Sequence, residues 1–338
     1  MFKVFLHSLT KSLLTLMVLS FLGLWVIDQI PGTAEDLGSD ENTELIFKKE
    51  NQIPLFYFSV FKEREKDQSI AWSDFIPQIS WNANQNQYHQ ILTETSYSKK
   101  DGIPVYKKIL QALSWTFALQ LPAVILIFLL SWFLAVWVIQ RNSKKWTESV
   151  VGVLTLLHAV PVFWFGSMLI LFFANPDFLN WFPSMYLGDA SLGGFSAWIQ
   201  QPSCFILPLI TLVLPSLAIL FLLSYGGLHS ALHQRFWMRA YSFGIPFKAG
   251  LKNEIYPHAF IPILAWIANA IPFLMAGSLV VESIFSIPGV GRLMYQSVAE
   301  RDWPVAYWIF MVSAVFTLGG MMLADLIQWY LDPRTRKE

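Results

Sequence analysis

Five apolar runs, Trp115–Ile139, Val150–Ala174, Phe205–Tyr225, Ala259–Val281 and Val305–Ala324, each carry twenty residues or more with hardly a charge among them. A helix rises 1.5 Å per residue, so about 20 residues cross the roughly 30 Å hydrocarbon layer of a bilayer. A sixth run, Ser12 to Ile30, follows a short basic start with Lys3 and Lys11. A secretory signal peptide has that layout, with Gly32-Thr33-Ala34 as a small-residue cleavage site. The run is longer than a signal core, however, and Pro31-Gly32 ends it as a helix stop does. The expectation is an all-α integral membrane protein with six transmembrane helices, the first retained. Composition agrees: 55% of residues are hydrophobic and only 14% charged, against about 25% charged in soluble domains.

Basic residues set the orientation. With the N-terminus inside, the inside segments carry Lys3, Lys11, Arg141, Lys144, Lys145, Arg235, Arg239, Lys248, Lys252, Arg334, Arg336 and Lys337, whereas the short outside loops carry Arg292 and Arg301. Both termini are therefore expected in the cytoplasm. The remaining nine basic residues lie within 31–114, a stretch too long for the rule, and eight of them fall in its polar segment. That segment, 31–107, holds 12 of the 23 acidic residues together with scattered aromatics such as Phe56, Tyr57, Trp72 and Trp81. Aromatics argue against disorder, so a small extracytoplasmic cap is expected. The chain divides on this basis into 1–107, the first helix plus cap, and 108–332, the core.

Several function classes are excluded. Lysine plus arginine balances aspartate plus glutamate at 23 each, so no basic stripe for nucleic acid exists. Cys204 is alone, which removes a disulfide framework and a cysteine-rich metal site. No Walker A pattern is present, and no His/Cys/Asp/Glu group has metal-ligand spacing. Asp28 and Asp325 lie near span ends on opposite sides of the membrane and cannot form a dyad. Ser167 near His158 lacks an oxyanion motif; the pair reads better as a packing residue and a bonded polar group between helices. His158 remains a candidate for lining a polar pathway, because intramembrane ionisable groups mark function. No catalytic residue, metal or cofactor is expected.

Two polar stretches stand out. One runs from His229 to Pro262 around Arg235-Phe-Trp-Met-Arg-Ala240-Tyr-Ser-Phe-Gly244-Ile-Pro246. It is too long for a plain turn and too rich in small and aromatic residues for a plain linker, so it reads as a short helix at the membrane face. The other is Val281-Glu-Ser-Ile-Phe-Ser-Ile-Pro-Gly-Val-Gly-Arg-Leu-Met294. There Pro288-Gly289 and Gly291 break the helix, and Pro304 opens the last span. Glu282 is expected either to cap a helix or simply to be solvated at the interface. Pro122, Pro161, Pro208, Pro215, Pro262 and Pro272 sit inside the apolar runs and are expected to kink them.

These stretches resemble the B-type permease subunit of the oligopeptide/dipeptide/nickel class of ABC importers. The segment Val280 to Leu293 followed by Ala299-Glu-Arg-Asp-Trp-Pro304 is similar to that family's most distinctive motif. His158 to Gly166, Ile206 to Ser216, Leu331-Asp-Pro-Arg334 and Pro31-Gly32 are similar to further family segments in the same order. The resemblance implies the type I importer permease fold and no enzymatic activity of its own. It implies a homologous C-type permease, two ATPase subunits that bind the ATP, and an extracytoplasmic substrate-binding protein as partners, and it places this chain in the inner membrane. The coupling loop would be about 229–258, with Arg239, Ala240, Tyr241, Ser242, Phe243 and Gly244 at its centre. Ala240 and Gly244 would be the small residues that let the loop seat in a groove of the ATPase. Where the family carries basic residues, Met238, Tyr241 and Phe243 are apolar or aromatic, which implies a more hydrophobic seat. Peptides are the implied cargo; nickel complexes or other small solutes, or a non-transporting scaffold or intramembrane hydrolase on the same fold, are the alternatives.

Overall fold

The computed structural model describes residues 2–29, 56–57, 78–79, 97–141, 143–186, 193–260, 263, 266 and 279–331. Most of the polar segment 31–96, Pro262, Pro272, most of the Ala259–Val281 run and residues beyond 331 lie outside the described residues. The chain is mostly helical. In order, the helices are α1 (Phe2–Gln29), α2 (Val105–Arg141), α3 (Lys144–Ala159), α4 (Val162–Phe173), α5 (Gly194–Gln200), α6 (Ser203–Leu232), α7 (Arg235–Ser242), the single turn α8 (Phe247–Gly250), α9 (Leu279–Ile284), α10 (Val290–Ala299) and α11 (Trp303–Leu331). The all-α expectation has one exception among the described residues, a two-residue antiparallel ladder pairing Phe56 with Ile79 and Tyr57 with Gln78.

Helices α2, α6 and residues 303–323 of α11 are long and apolar enough to cross a membrane. At 1.5 Å per residue, the 37 residues of α2 extend about 55 Å, well past the hydrocarbon layer. Pro122 lies inside α2, and Pro208 and Pro215 inside α6, without ending either helix. Pro161 behaves differently. The expected straight span Val150–Ala174 is instead two helices, α3 and α4, bent by 93°. Val160 is extended, with ψ 126°, as a residue before proline must be, and Pro161 itself has ψ 131°. The ring also removes the amide that would have continued the ladder.

The chain forms two compact units. The first comprises 1–12, 111–292 and 315–338. In it α3 and α4 pack along α6, and α9 rests on α4 and α6. Gly166 of α4 permits close approach, since a Cβ there would lie 3.2 Å from the Thr211 methyl of α6. Trp115, Tyr186, Trp198 and Phe205 form an aromatic cluster, with Trp115–Tyr186 centroids 4.9 Å apart and Trp198–Phe205 4.6 Å apart. The Trp198 indole donates to the Ala118 carbonyl at 2.6 Å. At the far end of α2, Arg141 lies over the Trp137 and Trp146 rings, 4.6 and 5.2 Å from their centroids.

The second unit comprises 13–110 and 293–314. Its polar centre is Asp302, which is only 2% exposed. Asp302 accepts from the Ser98 hydroxyl and, at 3.2 Å, from the Lys99 amide. Lys108 sits 2.6 Å from Asp101, 3.8 Å from Asp302 and 3.0 Å from the Ser98 oxygen. This network ties the segment before α2 to the turn before α11. Burial by itself would raise the Asp101 pKa; the bonds from Lys108, Ser98 and the Ile103 amide more than offset it, leaving the carboxyl below its ordinary range. A depressed native pKa adds stability above the unfolded value of about 3.9 and loses it as pH falls through the native one. The contribution of Asp101 to thermal stability in detergent should therefore be constant between about pH 8 and pH 5, and Asp101→Asn should remove part of the acid-side loss below about pH 4. Asp302→Ala, which leaves the Ser98 hydroxyl and the Lys99 amide without their acceptor, should cost about 2 kcal/mol by the same measurement.

Candidate functional site

Glu282 is fully buried, with 0% exposure. Its Oε1 accepts from the Thr116 hydroxyl of α2 at 2.9 Å, and its Oε2 from the Arg292 amide at 3.0 Å. The Gly291 amide donates to the same carboxyl. Thr116 in turn accepts from the Val290 amide at 2.8 Å. The carboxyl thus satisfies the orphan amides at the start of α10, where negative charge is favoured. The glycines of the Pro288-Gly-Val-Gly291 loop follow from this. A Cβ on Gly289 would overlap the Glu282 carboxyl, and one on Gly291 would lie 2.8 Å from the Leu279 Cα. Interfacial solvation of Glu282 is therefore overturned: the side chain sits under its own loop and joins α9, α2 and α10.

The elbow between α6 and residues 256–260 is built around Trp237. Its ring is buried, near Tyr241 at 5.8 Å and Phe247 at 6.1 Å. Gly250 must be glycine, because any Cβ would overlap the Trp237 ring. Residues 251–255 then form a wide helical turn with Leu251 and Ile255 buried; such turns recur at functional sites. Trp132 of α2 packs edge-on to Tyr256 at 5.3 Å, and Phe236 stacks on His258 at 4.3 Å.

The six residues singled out in α7 and its end do not share one role. Arg239, Tyr241, Ser242, Phe243 and Gly244 are exposed, and Phe243 is 81% exposed with Tyr241 at 63% and Met238 at 57%. Ala240 turns the other way and packs against the buried core. Gly244 has φ +83°. Its amide bonds the Tyr241 carbonyl and the Ile245 amide the Ala240 carbonyl, the arrangement by which a left-handed glycine closes a helix. Within the elbow Ala240 packs and Gly244 turns the chain. His158 donates from Nδ1 to the Pro215 carbonyl at 2.8 Å, a polar tie between α3 and α6. Ser167 donates to the Phe163 carbonyl of its own helix, so the two are not joined as a dyad. Among the described residues no group of three or more His, Cys, Asp or Glu side chains could hold a metal.

Residues 127–337 match the family of binding-protein-dependent transport system inner membrane components. The chain belongs to this family. The chain is 32% identical over 193 residues to the peptidoglycan transport system permease protein YejB of Agrobacterium fabrum, covering 56% of this chain and 52% of that protein. It is 31% identical over 245 residues to the oligopeptide transport system permease protein AppB of Bacillus subtilis, covering 71% and 74%. Against the oligopeptide transport system permease protein OppB of Escherichia coli K12 it is 24% identical over 196 residues, covering 58% and 60%. The chain thus spans about half to three quarters of the length of these curated relatives.

Thr116, Trp237, Gly250 and the buried role of Glu282 were not read from the sequence. The signal for the last was the spacing of Gly289 and Gly291 after an isolated acid. Removing the Glu282 carboxyl leaves the Thr116 hydroxyl and two amides buried without an acceptor. Glu282→Ala should lower thermal stability in detergent by about 2–4 kcal/mol, and Glu282→Gln by less. Gly244→Ala should cost about 1 kcal/mol through its left-handed backbone alone.

Proposed function

We propose that this permease forms one half of the membrane pathway of an ATP-driven importer, with peptides as cargo, and works by alternating access. It would pair with a homologous permease, and two ATPase subunits and an extracytoplasmic binding protein would complete the assembly. The relatives named for oligopeptide and peptidoglycan transport support the cargo class. ATP would be bound and hydrolysed on the partner subunits.

The observation that carries the reading is the elbow. Met238, Tyr241 and Phe243 stand out from a short helix whose other side is wedged into the bundle through Trp237 and Ala240. Exposed aromatics clustered on one small rigid element suit a docking contact better than a solvated one. With both termini in the cytoplasm, as the basic residues of the loops favour, this elbow faces the compartment that holds ATP. A partner that draws α7 along would move Trp237, and with it Gly250 and the turn at 251–255, so force reaches the spans without passing through a flexible link. ATP then biases the bundle only through the difference in partner affinity between its two states. The broken α3–α4 segment fits a pathway as well, because irregular backbone at membrane depth persists only against protein or a water-filled cavity.

Tagged permease, mildly solubilised, should bring down two ATPase subunits and a second permease; its isolation without either would sink the reading. Phe243→Asp leaves the elbow's buried side untouched. It should weaken ATPase association by about thirtyfold, the ~2 kcal/mol of a well-seated aromatic anchor, and reduce uptake of a labelled oligopeptide in proteoliposomes. Wild-type association in that variant would count against α7 as the docking element.

A further inference from the structure

The last turn of α6 and its cap carry two exposed imidazoles, His229 and His233. Residues four apart on a helix share a face, and these two ring centroids lie 4.5 Å apart. The His233 Nδ1 is 2.8 Å from the His229 carbonyl oxygen. A carbonyl can only accept, so Nδ1 carries the proton and Nε2 keeps its lone pair outward. Fixing one ring nitrogen on a backbone carbonyl is how proteins orient imidazoles that ligate metals. The Tyr225 ring, one turn earlier and 5.8 Å from His229, flanks the pair. The negative end of the α6 dipole also falls here and favours a cation.

We propose that His229 and His233 form a two-imidazole chelate for a divalent transition-metal ion, of the Cu2+, Ni2+ or Zn2+ class. Neither histidine belongs to the aromatic wedge or to the exposed face of α7, so the assignment stands apart from the importer reading. No third His, Cys, Asp or Glu joins the pair among the described residues, so water fills the other positions and binding is readily reversible, unlike a closed four-ligand structural site. Ligand chemistry ranks the ions: Cu2+ binds most tightly, Ni2+ and Zn2+ less so, while Mg2+ prefers oxygen ligands and is not held. The consequence is mechanical. His233 caps α6 and the next residue, Gln234, caps α7, so a bound ion stiffens the end of α6.

The full-length permease, solubilised and freed of any polyhistidine tag, is titrated calorimetrically with Cu2+, Ni2+, Zn2+ and Mg2+. One saturable site per chain is expected for the first three ions and none for Mg2+. His229→Ala and His233→Ala should each weaken binding at least tenfold; both rings are exposed, and unchanged melting of the variants shows that the fold is kept. His258→Ala, whose ring stacks on Phe236 instead, should bind as the parent does. Amide exchange across 229–235 should slow with Ni2+ in the parent and not in His229→Ala. Absence of a saturable site, undiminished binding by His229→Ala, or a loss in His258→Ala as large as in His229→Ala would overturn the assignment.

Discussion

A single carboxyl group, that of Glu282, holds the Val281–Arg292 region in shape. Burying it is costly unless every lone pair finds a donor, and the chain meets that demand from three directions: a hydroxyl on α2, and amides at the start of α10. The demand in turn dictates local sequence. The loop must pass close over the carboxyl, which leaves no room for a Cβ at Gly289, and it must return against the α9 backbone, which excludes one at Gly291. What looks like a helix-breaking loop is the cover of a buried acid.

The elbow at α7 and α8 follows a different logic, with packing in place of hydrogen bonding. A tryptophan ring seated on a glycine makes a contact with almost no slack, because interiors are packed as densely as organic crystals. Helix α7 is therefore joined to the turn at 251–255 by shape rather than by a tether. Its exposed side carries Met238, Tyr241 and Phe243 while its buried side keeps that shape.

Much of this was legible beforehand. Apolar length located α2, α6 and α11 because only a helix satisfies its backbone within one segment in a bilayer, and the glycines and proline after Ile284 marked the break before α10. The small and aromatic residues between Arg235 and Pro246 marked a short helix, and α7 is one. Other features were not legible. The Val150–Ala174 run reads as one span, since Pro122, Pro208 and Pro215 are carried inside helices while Pro161 ends one, and local sequence does not separate the two outcomes. That Ala240 packs against the core was not legible either, because the phase of α7 is set by where Trp237 finds its glycine.

The sequence by itself determined that this chain is a multi-pass membrane protein of the binding-protein-dependent permease family, because apolar length and motif order are properties of the chain read in one dimension. Only the tertiary structure decided that Glu282 is buried, that Thr116 is its partner 166 positions away, and that Trp237 requires Gly250. Those are pairings between distant residues, and a side chain's surroundings are fixed by what packs against it rather than by what precedes it.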